Sequence, residues 1–488
     1  MRLASNVRST EALSQFVLET TFDDLPSEVV AASKRVILDT IAVTIGASGT
    51  PMAAALNRVK HDQGGAPQAT LVVTGEQLPV ASVAHVHGQL ANLLDADDTI
   101  LTKGHFGSVS VFPALAAAEH TGATGRQFIA AVAVSYDLSA RLAAALEQSV
   151  VERADGGGGG FYGFGWLSFG AAAAVGRLIG LDAAQLQHAF GQTLVLSPAT
   201  FDVGAHMRSL AAGEAPAPWH RYQASGACAE AGVNGALLAQ VGQIARTDVF
   251  DEGSDFWKSF HCLGVDWGAL YGGLGERWYV LDAALKSHPF CRFGSVAIDL
   301  FTQFVDEQKI APDDVVEIVV RIPPHIPLLE LLARNAHVDE PLQLYLSLPT
   351  AFALIAHRIA PGPRWWTEDL QAPEIRNFAS RVRCEVDPGR GQDILDQLAG
   401  AGLRRVPTEL AITTRSGTSH VFAETALGDP WSPNHDQIDA QLRDKVRRFT
   451  EDFLPSQRPD DLIEAVDALD ADDSVESVAR LVKAMTAR

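Results

Sequence analysis

Hydrophobic residues in the first half of the chain recur at the spacing of buried helices. Residues 25–48, LPSEVVAASKRVILDTIAVTIGAS, begin with the Pro-Ser-Glu start of a helix and then place Ile37, Ile41 and Ile45 four residues apart. Gly46 is a typical helix end. Similar patterns predict helices at 81–94, 109–121, 127–147, 168–180 and 224–241. The last two are apolar nearly all round, which predicts that they are buried.

The pattern changes after about residue 265. β-branched residues dominate VVEIVVRIP (315–323), RVRCEVDP (381–388) alternates, and ELAITTRSGTSHVFAETAL (409–427) predicts a hairpin that turns at Arg415, Gly417 and Ser419. Helices are predicted between these strands at 289–307, 341–357 and 391–399, and again at 435–454 and 461–486. The sequence therefore predicts a mainly α fold with a smaller α+β domain. A large all-helical domain, residues 1–265 completed by 430–488, would carry an inserted α+β lid domain, residues 266–429.

Composition narrows the classes of partner. A net charge of −21 over 488 residues argues against an extended nucleic-acid surface, which requires a basic stripe, and against binding to an anionic membrane. An anionic substrate would be repelled at long range, so it would need local cations. The four cysteines show no zinc spacing and favour a reducing compartment. The N-terminus lacks a secretory signal and no uninterrupted apolar stretch reaches membrane-spanning length, so we expect a cytoplasmic protein.

Residues 93–106, LLDADDTILTKGHF, hold the densest run of ionisable side chains in the first half of the chain. We expect no metal there, because a calcium loop needs oxygen ligands at alternating positions around a central glycine. An acid–base site is indicated if the helix from residue 81 continues through this run. Asp95 and Thr99 would then share one face, and Gly104 would let His105 turn back. The alternative is a charged helix end with solvated Lys103 and His105, and the residues alone favour neither.

Three other stretches carry candidate ligand-binding groups. KSHPFCRFGSVAIDL (286–300) places Lys286 and Arg292 before an apolar helix, which indicates either a basic loop or a carboxylate clamp. GEAPAPWHRYQASG (213–226) places Trp219 and His220 before a small-residue helix, and alone it favours an aromatic anchor with exposed basic neighbours. The glycine run 156–160 lacks the features of a phosphate loop and is more typical of a flexible loop. The aromatic residues beside it, which could close over a ligand, are Phe161, Tyr162, Phe164 and Trp166.

Several stretches, in this order, resemble the MmgE/PrpD family from about Leu25 to Phe453. They are VILDTIAVTIGAS, ANLLDADDTILTKGHFGSVSVFPALAAAE, FGAAAAVGRLIGLDAAQLQHAFG, SLAAGEAPAPWHRYQASG, LKSHPFCRFGSVAID, LYLSLPTAFAL and LGDPWSP. The second, with Asp-x-Asp-Asp-Thr followed by His six residues later, is the most specific. The resemblance implies a large helical domain with a smaller α+β lid, a homodimer, and a cofactor-free lyase or isomerase that removes a proton next to a carboxylate. It also implies that Asp95, Thr99 and His105 are active-site residues, in which Asp95 orients, Thr99 hydrogen-bonds the substrate and His105 moves the proton. Asp97 and Lys103 then better fit a solvated polar loop.

The sequence departs from the family pattern at three basic positions. Phe161 or Tyr162 stands where the family has a histidine, His220 replaces a lysine after Trp219, and Ser295 replaces another histidine. Fewer fixed cations and more aromatic side chains predict a substrate more apolar than citrate-like acids.

We therefore predict a divergent lyase that dehydrates or decarboxylates a small organic acid next to a carboxylate or carbonyl group. The alternatives are an epimerase or isomerase with two opposed bases, and a non-catalytic protein that binds a small molecule. No cofactor, nucleic-acid partner or membrane partner is expected. The predicted catalytic residues are Asp95, His105, His220 and Tyr162. The predicted substrate-binding residues are Thr99, Lys103, Phe161, Trp219, Lys286, Arg292 and Ser295.

Overall fold

The structure is a computed structural model that describes residues 8–146, 165–198, 224–259, 264–336, 338, 341–367, 369–399 and 402–487. Hydrophobic side chains in these residues form two buried cores. The first core contains residues up to Leu285 together with residues from Ile438 to Met485. The second core contains residues from Phe290 to Ala426 together with Leu101. The fold is mainly α-helical with a smaller α+β part, as the sequence predicts.

Helices that precede residue 285 build most of the first core, because burying their apolar faces against one another removes them from water. They are α1 (Ser9–Glu19), α2 (Ser27–Ala47), α3 (Pro51–Gln63), α4 (Val80–Leu93), α5 (Gly107–Thr121), α6 (Gly125–Ala145), α7 (Ser168–Leu178), α8 (Ala183–Leu196), α9 (Ala224–Gln240), α10 (Asp255–Ser259) and α11 (Trp267–Tyr271). Helix α9 packs against α4, α7 and α8. A β-carbon added to Gly232 would lie 2.2 Å from the Ser168 carbonyl oxygen, so close helix contact requires the small residue. A short antiparallel pair, β1 (Ala69–Thr70) and β2 (Gln77–Leu78), lies between α3 and α4.

Helix α6 is a long apolar helix of this core. Among the described residues it alone is long and apolar enough to cross a membrane, by length and composition, and 94% of its apolar window is buried inside the protein. It also carries the buried ion pair Asp137–Arg141, with the side-chain atoms 2.5 Å apart. This burial is typical of a core helix.

The second core is built around a four-stranded sheet in the order β4-β3-β5-β6. Its elements in chain order are α12 (Ser295–Gln308), β3 (Val315–Ile322), α13 (Pro327–Arg334), α14 (Leu348–Ala356), α15 (Pro373–Ala379), β4 (Val382–Val386), α16 (Gly391–Ala399), β5 (Thr408–Thr414) and β6 (Gly417–Ala423). Strand β3 pairs parallel with β4, with Val320 opposite Cys384, and antiparallel with β5. Strands β5 and β6 form the predicted hairpin, whose turn is the two-residue loop Arg415–Ser416.

Three predicted helices differ from the observed ones. The helix predicted at 289–307 begins only at Ser295, after a 3₁₀ turn at Arg292–Gly294. The helix predicted at 341–357 divides at Ser347, whose hydroxyl caps α14 by accepting the Thr350 amide at 3.2 Å. The helix predicted at 461–486 is two helices, α18 (Arg458–Asp467) and α19 (Glu476–Ala484), separated by an acidic stretch.

The C-terminal helices return to the first core. Helix α17 (Ile438–Thr450) packs on α2, and α19 packs on α5 and α6. The chain therefore enters the second core and comes back, although the domain boundaries at residues 265 and 430 stay predictions.

Residues 94–106, here named the acidic loop, connect the two cores. Ile100 belongs to the first core and Leu101 to the second. The backbone of Thr99 exchanges two hydrogen bonds of 3.0 Å with Ala284, and the amide of Leu285 donates to the Gly428 carbonyl at 2.9 Å. The segment 284–286 is thus held between the acidic loop and residues 426–429. This arrangement brings Lys286 against the carboxylates of the loop.

Candidate active site

The acidic loop begins where α4 ends. Helix α4 stops at Leu93, and Asp95 adopts a left-handed backbone conformation with φ of 50°. Few residues other than glycine adopt this conformation, although aspartate and asparagine tolerate it best. The helix ends close to the predicted residue 94 and does not continue through this run, so Asp95 and Thr99 do not share a helix face. A reversed backbone at Asp95 turns its carboxylate toward the segment that carries Lys286.

Lys286 forms a buried ion pair with Asp95. Its Nζ lies 2.5 Å from Asp95 Oδ1 and 3.5 Å from Asp97 Oδ1, and only 1% of its side chain is exposed. Burial disfavours the charged amine, but the carboxylates of Asp95 and Asp97 outweigh it and raise the pKa of Lys286. The ammonium group is thus charged and already paired inside the protein. The second oxygen of Asp95, Oδ2, makes no hydrogen bond within the described part of the chain.

Asp97 is the partner of His105. The carboxylate Oδ1 lies 3.1 Å from His105 Nδ1, and the Asn92 amide donates to Asp97 Oδ2 at 3.0 Å. Burial alone would raise the pKa of Asp97, but the charges of His105 and Lys286 lower it. Since an ionised carboxylate only accepts hydrogen bonds, we assign the proton to His105 Nδ1. The basic lone pair of the neutral ring then lies on Nε2.

This geometry corrects the interpretation of the loop. The sequence favoured a solvated position for Asp97, whereas its side chain is fully buried, and it gave the orienting role to Asp95. The carboxylate in contact with His105 is that of Asp97. Of the His105 side chain, 12% is exposed, so the imidazole is the member of this group that reaches toward solvent.

Asp98 fastens the loop to the first core. Its Oδ1 accepts the Gly107 amide at 2.9 Å and its Oδ2 accepts the Tyr136 hydroxyl at 2.7 Å. Burial and the neighbouring charge of Asp97 raise the pKa of Asp98 to about 6. A β-carbon on Gly107 would lie 2.3 Å from Asp98 Oδ1, so α5 can begin this close to the carboxylate only with glycine.

Thr99 and Lys103, the other two predicted site residues of the acidic loop, have different surroundings. The Thr99 hydroxyl donates to the Gly104 carbonyl at 3.0 Å, and its predicted hydrogen bond to substrate stays a prediction. The ammonium of Lys103 is half-buried, and burial lowers its pKa. The charged groups that act on Lys103 are Asp282, Arg277 and Asp266, which lie in the segment before Lys286.

Arg292 belongs to a separate buried cluster, here named the second-core cluster: His288, Arg292, Asp299 and Asp429. The Arg292 Nη2 pairs with Asp429, and Leu427 donates its amide to Asp299 at 2.8 Å. Burial lowers the pKa of Arg292 to about 10. Asp429 pairs with Nη2, whereas Nη1 makes no hydrogen bond within the described residues, so the predicted carboxylate clamp stays a prediction. Ser295, the first residue of α12, is half-buried, and its predicted contact with substrate stays a prediction.

Four predicted site residues lie outside the described residues: Phe161, Tyr162, Trp219 and His220. Their roles stay predictions. Trp166, which the sequence grouped with the aromatic residues around a ligand, is described and is 99% buried in the first core. It therefore serves packing, and the aromatic ligand surface would have to come from the other residues.

The group Asp95, Asp97 and His105 also resembles a metal site in its spacing. One potential ligand atom from each residue lies within 4.8 Å of the others. The ammonium of Lys286, however, occupies the two carboxylates. A metal ion bound at this position would have to displace it.

Sequence reasoning missed Lys445 and Asp39. Lys445 reaches the loop from α17: its Nζ pairs with Asp39 on α2 and donates to the Ala96 carbonyl at 2.5 Å. A signal was present, because Lys445 falls on the apolar face of α17. The buried residues of that face include Ile438, Leu442, Val446 and Phe449. Asp39 likewise interrupts the apolar run of α2.

A surface cavity of about 560 Å³ lies away from these groups. Its walls come from α2, α17 and α18, and include the paired side chains Lys34–Asp470 and Arg35–Asp439. None of the acidic-loop residues lines it. We place the candidate active site at the acidic loop because the proton-transfer groups lie there.

Comparison with known families identifies the class of protein. Residues 11–263 match the MmgE/PrpD N-terminal domain, and residues 288–471 match the MmgE/PrpD C-terminal domain. The chain therefore belongs to the MmgE/PrpD family, as the sequence resemblance predicted. At the level of the family this supports an enzyme with dehydratase-like lyase activity. No curated protein matches the chain. The homodimer and the cytoplasmic location stay predictions.

Proposed function

We propose that the protein is a cofactor-free lyase that removes a proton next to a carboxylate or carbonyl group of a small organic acid, with His105 as the proton-transferring residue. The Asp97–His105 pair, at 3.1 Å inside a buried loop, carries this proposal. An imidazole whose Nδ1–H donates to a fixed carboxylate presents Nε2 as a base. The adjacent negative charge of Asp97 then stabilises the imidazolium that proton removal creates.

The elimination requires a departing group as well as a base. In a dehydration, His105 takes the proton from carbon, hydroxide leaves the neighbouring carbon as water, and a carbon–carbon double bond forms. In a decarboxylation, carbon dioxide leaves and its bonding electrons stay on carbon, and an imidazolium form of His105, protonated beforehand by solvent, donates a proton to that carbon. Asp95 Oδ2 is a buried acceptor without a hydrogen bond in the described part of the chain, and we assign it to a substrate hydroxyl group. The acid that assists the departing group is proposed to be His220 or Tyr162.

The charged groups around the acidic loop indicate which net charge a substrate can carry. Within the described residues, the carboxylates of Asp39, Asp95, Asp97 and Asp98 lie around the buried ammonium groups of Lys286 and Lys445. Both ammonium groups are already paired with carboxylates. A trianion of the citrate type would meet repulsion here. This supports a substrate with fewer charges and a larger apolar part.

Proton exchange tests the proposal without knowledge of the full reaction. Purified protein is incubated in deuterated water with a panel of carboxylic and oxo acids, and mass spectrometry follows deuterium uptake and loss of water or carbon dioxide. We expect exchange with product formation for at least one acid, and none with His105→Asn. His61→Gln is the matched control, since 64% of the His61 side chain is exposed and it lies outside the acidic loop.

Other outcomes would revise the proposal. Exchange without loss of water or carbon dioxide would identify an isomerase. Full exchange in His105→Asn would remove His105 from the mechanism. Efficient turnover of 2-methylcitrate or cis-aconitate would contradict the more apolar substrate.

A further inference from the structure

We propose that Lys445 is a positioning residue of the active site, which holds the backbone of the acidic loop so that Asp97 meets His105; this role rests on the proposed function of His105. The ammonium of Lys445 donates to the Ala96 carbonyl at 2.5 Å and is anchored by Asp39. Only 3% of its side chain is exposed. A residue 349 positions from Ala96 in sequence thus contacts the backbone at the centre of the site.

The position of the Ala96 backbone affects both neighbouring aspartate side chains. It lies between Asp95, which pairs with Lys286, and Asp97, which pairs with His105. A rotation of the 96–97 peptide would move the Asp97 carboxylate away from the imidazole. A contact to the Ala96 carbonyl oxygen fixes that peptide, because a charged donor makes a strong hydrogen bond in a buried site.

Helix packing alone does not require this ion pair. Burial lowers the pKa of Lys445 and raises the pKa of Asp39, so the surroundings oppose both charges. An apolar pair of similar size would join α17 to α2 at least as stably in general. The additional property of a lysine is the hydrogen bond to Ala96. The tip of the side chain also lies close enough to Asp97 and Lys286 for their charges to act on it.

The tautomer of His105 reports the position of Asp97 without any substrate. We would label histidine with ¹⁵N and record imidazole spectra near pH 8, assigning His105 among the 15 histidines by comparison with His105→Asn. In the parent protein the Nδ1–H form is expected, because Asp97 accepts that proton. Free histidine in water prefers the Nε2–H form, so loss of the Asp97 contact changes the ring ¹⁵N shifts.

Two variants separate the carbonyl contact from the charge pair. Asp39→Asn keeps the lysine, whose amine can donate to the Ala96 carbonyl even when it is uncharged. The double variant Asp39→Asn with Lys445→Met removes that donor and leaves no lone buried charge. We expect the Nδ1–H tautomer in the first and its loss in the second, with turnover about 10- to 100-fold lower and little change in KM. Lys60→Met is the control, because Lys60 forms a buried pair with Glu230 elsewhere in the first core.

The outcomes distinguish the positioning role of Lys445 from the proposed reaction. If the double variant keeps the Nδ1–H tautomer while its folding is weakened, Lys445 is a stability residue and the proposal is overturned. If the tautomer changes but no acid undergoes exchange in the parent protein, the positioning role holds and the proposed reaction fails. Circular dichroism is recorded first, to confirm that the double variant is folded before its imidazole spectra and turnover are compared with those of the parent protein.

Discussion

Two buried ionic clusters start from the same stretch of sequence and have different properties. Lys286 joins Asp95, Asp97 and His105 at the acidic loop, here named the loop cluster, whereas Arg292, six residues later, joins the second-core cluster. Both clusters exclude most solvent. The loop cluster contains a left-handed aspartate and a partly exposed imidazole. The second-core cluster is closed by backbone amides, since Ala426 and Leu427 donate to its carboxylates at 2.8 Å.

The two histidines show what this difference means for chemistry. Burial and the charges of Arg448 and Lys445 lower the pKa of His288 to about 3, so its ring is neutral near pH 7. His288 lies 3.6 Å from Asp299, beyond hydrogen-bond distance, whereas His105 lies 3.1 Å from Asp97. A buried charge therefore does not identify an active site by itself. What distinguishes His105 is its hydrogen bond to the buried carboxylate of Asp97, since its side chain is 12% exposed and that of His288 is 9% exposed.

The largest expected effect is on the rate of substrate exchange, which should fall when His105 is replaced but not when His288 is replaced. His105→Asn should lower the rate of substrate exchange by about 10²- to 10⁴-fold, because a general base is lost. The free energy of unfolding should fall by about 1–3 kcal/mol, because the buried carboxylate of Asp97 loses a hydrogen-bond donor, so exchange is compared per folded molecule. His288→Asn should leave exchange per folded molecule within about threefold. A comparable loss of exchange in both variants would break the distinction between the clusters.

The next largest effect is on the free energy of unfolding, when one of the buried cations Lys286 and Arg292 is replaced. Lys286→Met and Arg292→Met should each lower the free energy of unfolding by about 3–5 kcal/mol, because each leaves a buried carboxylate unpaired. Urea denaturation measures this. Only Lys286→Met should also lower exchange per folded molecule, since Asp95 and Asp97 would move. Loss of exchange in a folded Arg292→Met protein would instead support the carboxylate clamp, one of the two alternatives that the sequence indicated for this stretch.

Each cluster also affects stability through an acid with a raised pKa. Burial raises the pKa of Asp98 and of Asp299 to about 6, above the ordinary 3.8. The folded state therefore holds the proton more tightly, and the stability from each acid is present below pH 4 and lost as pH rises through 6. Asp98→Asn and Asp299→Asn should each remove on the order of 3 kcal/mol of this pH dependence.

The pH dependence of exchange should distinguish these two acids. Asp98→Asn removes a like charge beside Asp97 and should shift the pH profile of exchange, whereas Asp299→Asn should leave it in place. Denaturation at pH 4, 5, 6 and 7 gives the stability profiles, and exchange rates over the same range give the activity profiles. A shift with Asp299→Asn would show that the clusters are coupled.

The helical framework was predictable because apolar periodicity is local. The bounds of α2, α4, α5 and α9, and the hairpin of β5 and β6, follow from spacing and turn residues within each segment. The identity of the acidic loop was predictable for the same reason, since its acids and His105 are close in sequence. Family membership followed from several such segments in order.

The partners within the site were not predictable. Lys286 meets Asp95 across 191 positions, and Lys445 meets Ala96 across 349. Such pairs depend on how the two cores pack, which no local pattern encodes. Buried and solvated acids also look alike in sequence, so Asp97 was mistaken for a surface residue. The left-handed turn at Asp95 was not predicted, because this conformation is usually marked by glycine and an aspartate there gives no such signal.

The smallest expected effect tests that turn directly. At an ordinary helical position, glycine is less stable than alanine by about 0.5–1 kcal/mol, whereas in the left-handed region alanine suffers a steric penalty of about 1 kcal/mol that glycine avoids. Asp95→Gly and Asp95→Ala both remove the carboxylate, so their difference isolates the backbone. We expect Asp95→Gly to be the more stable variant by urea denaturation.

Arg480, exposed on α19, is the matched control, and there the order of the glycine and alanine variants should be reversed. The same order at both positions would mean that Asp95 is not held in the left-handed conformation, and the loop cluster would lose the feature that directs its carboxylate toward Lys286.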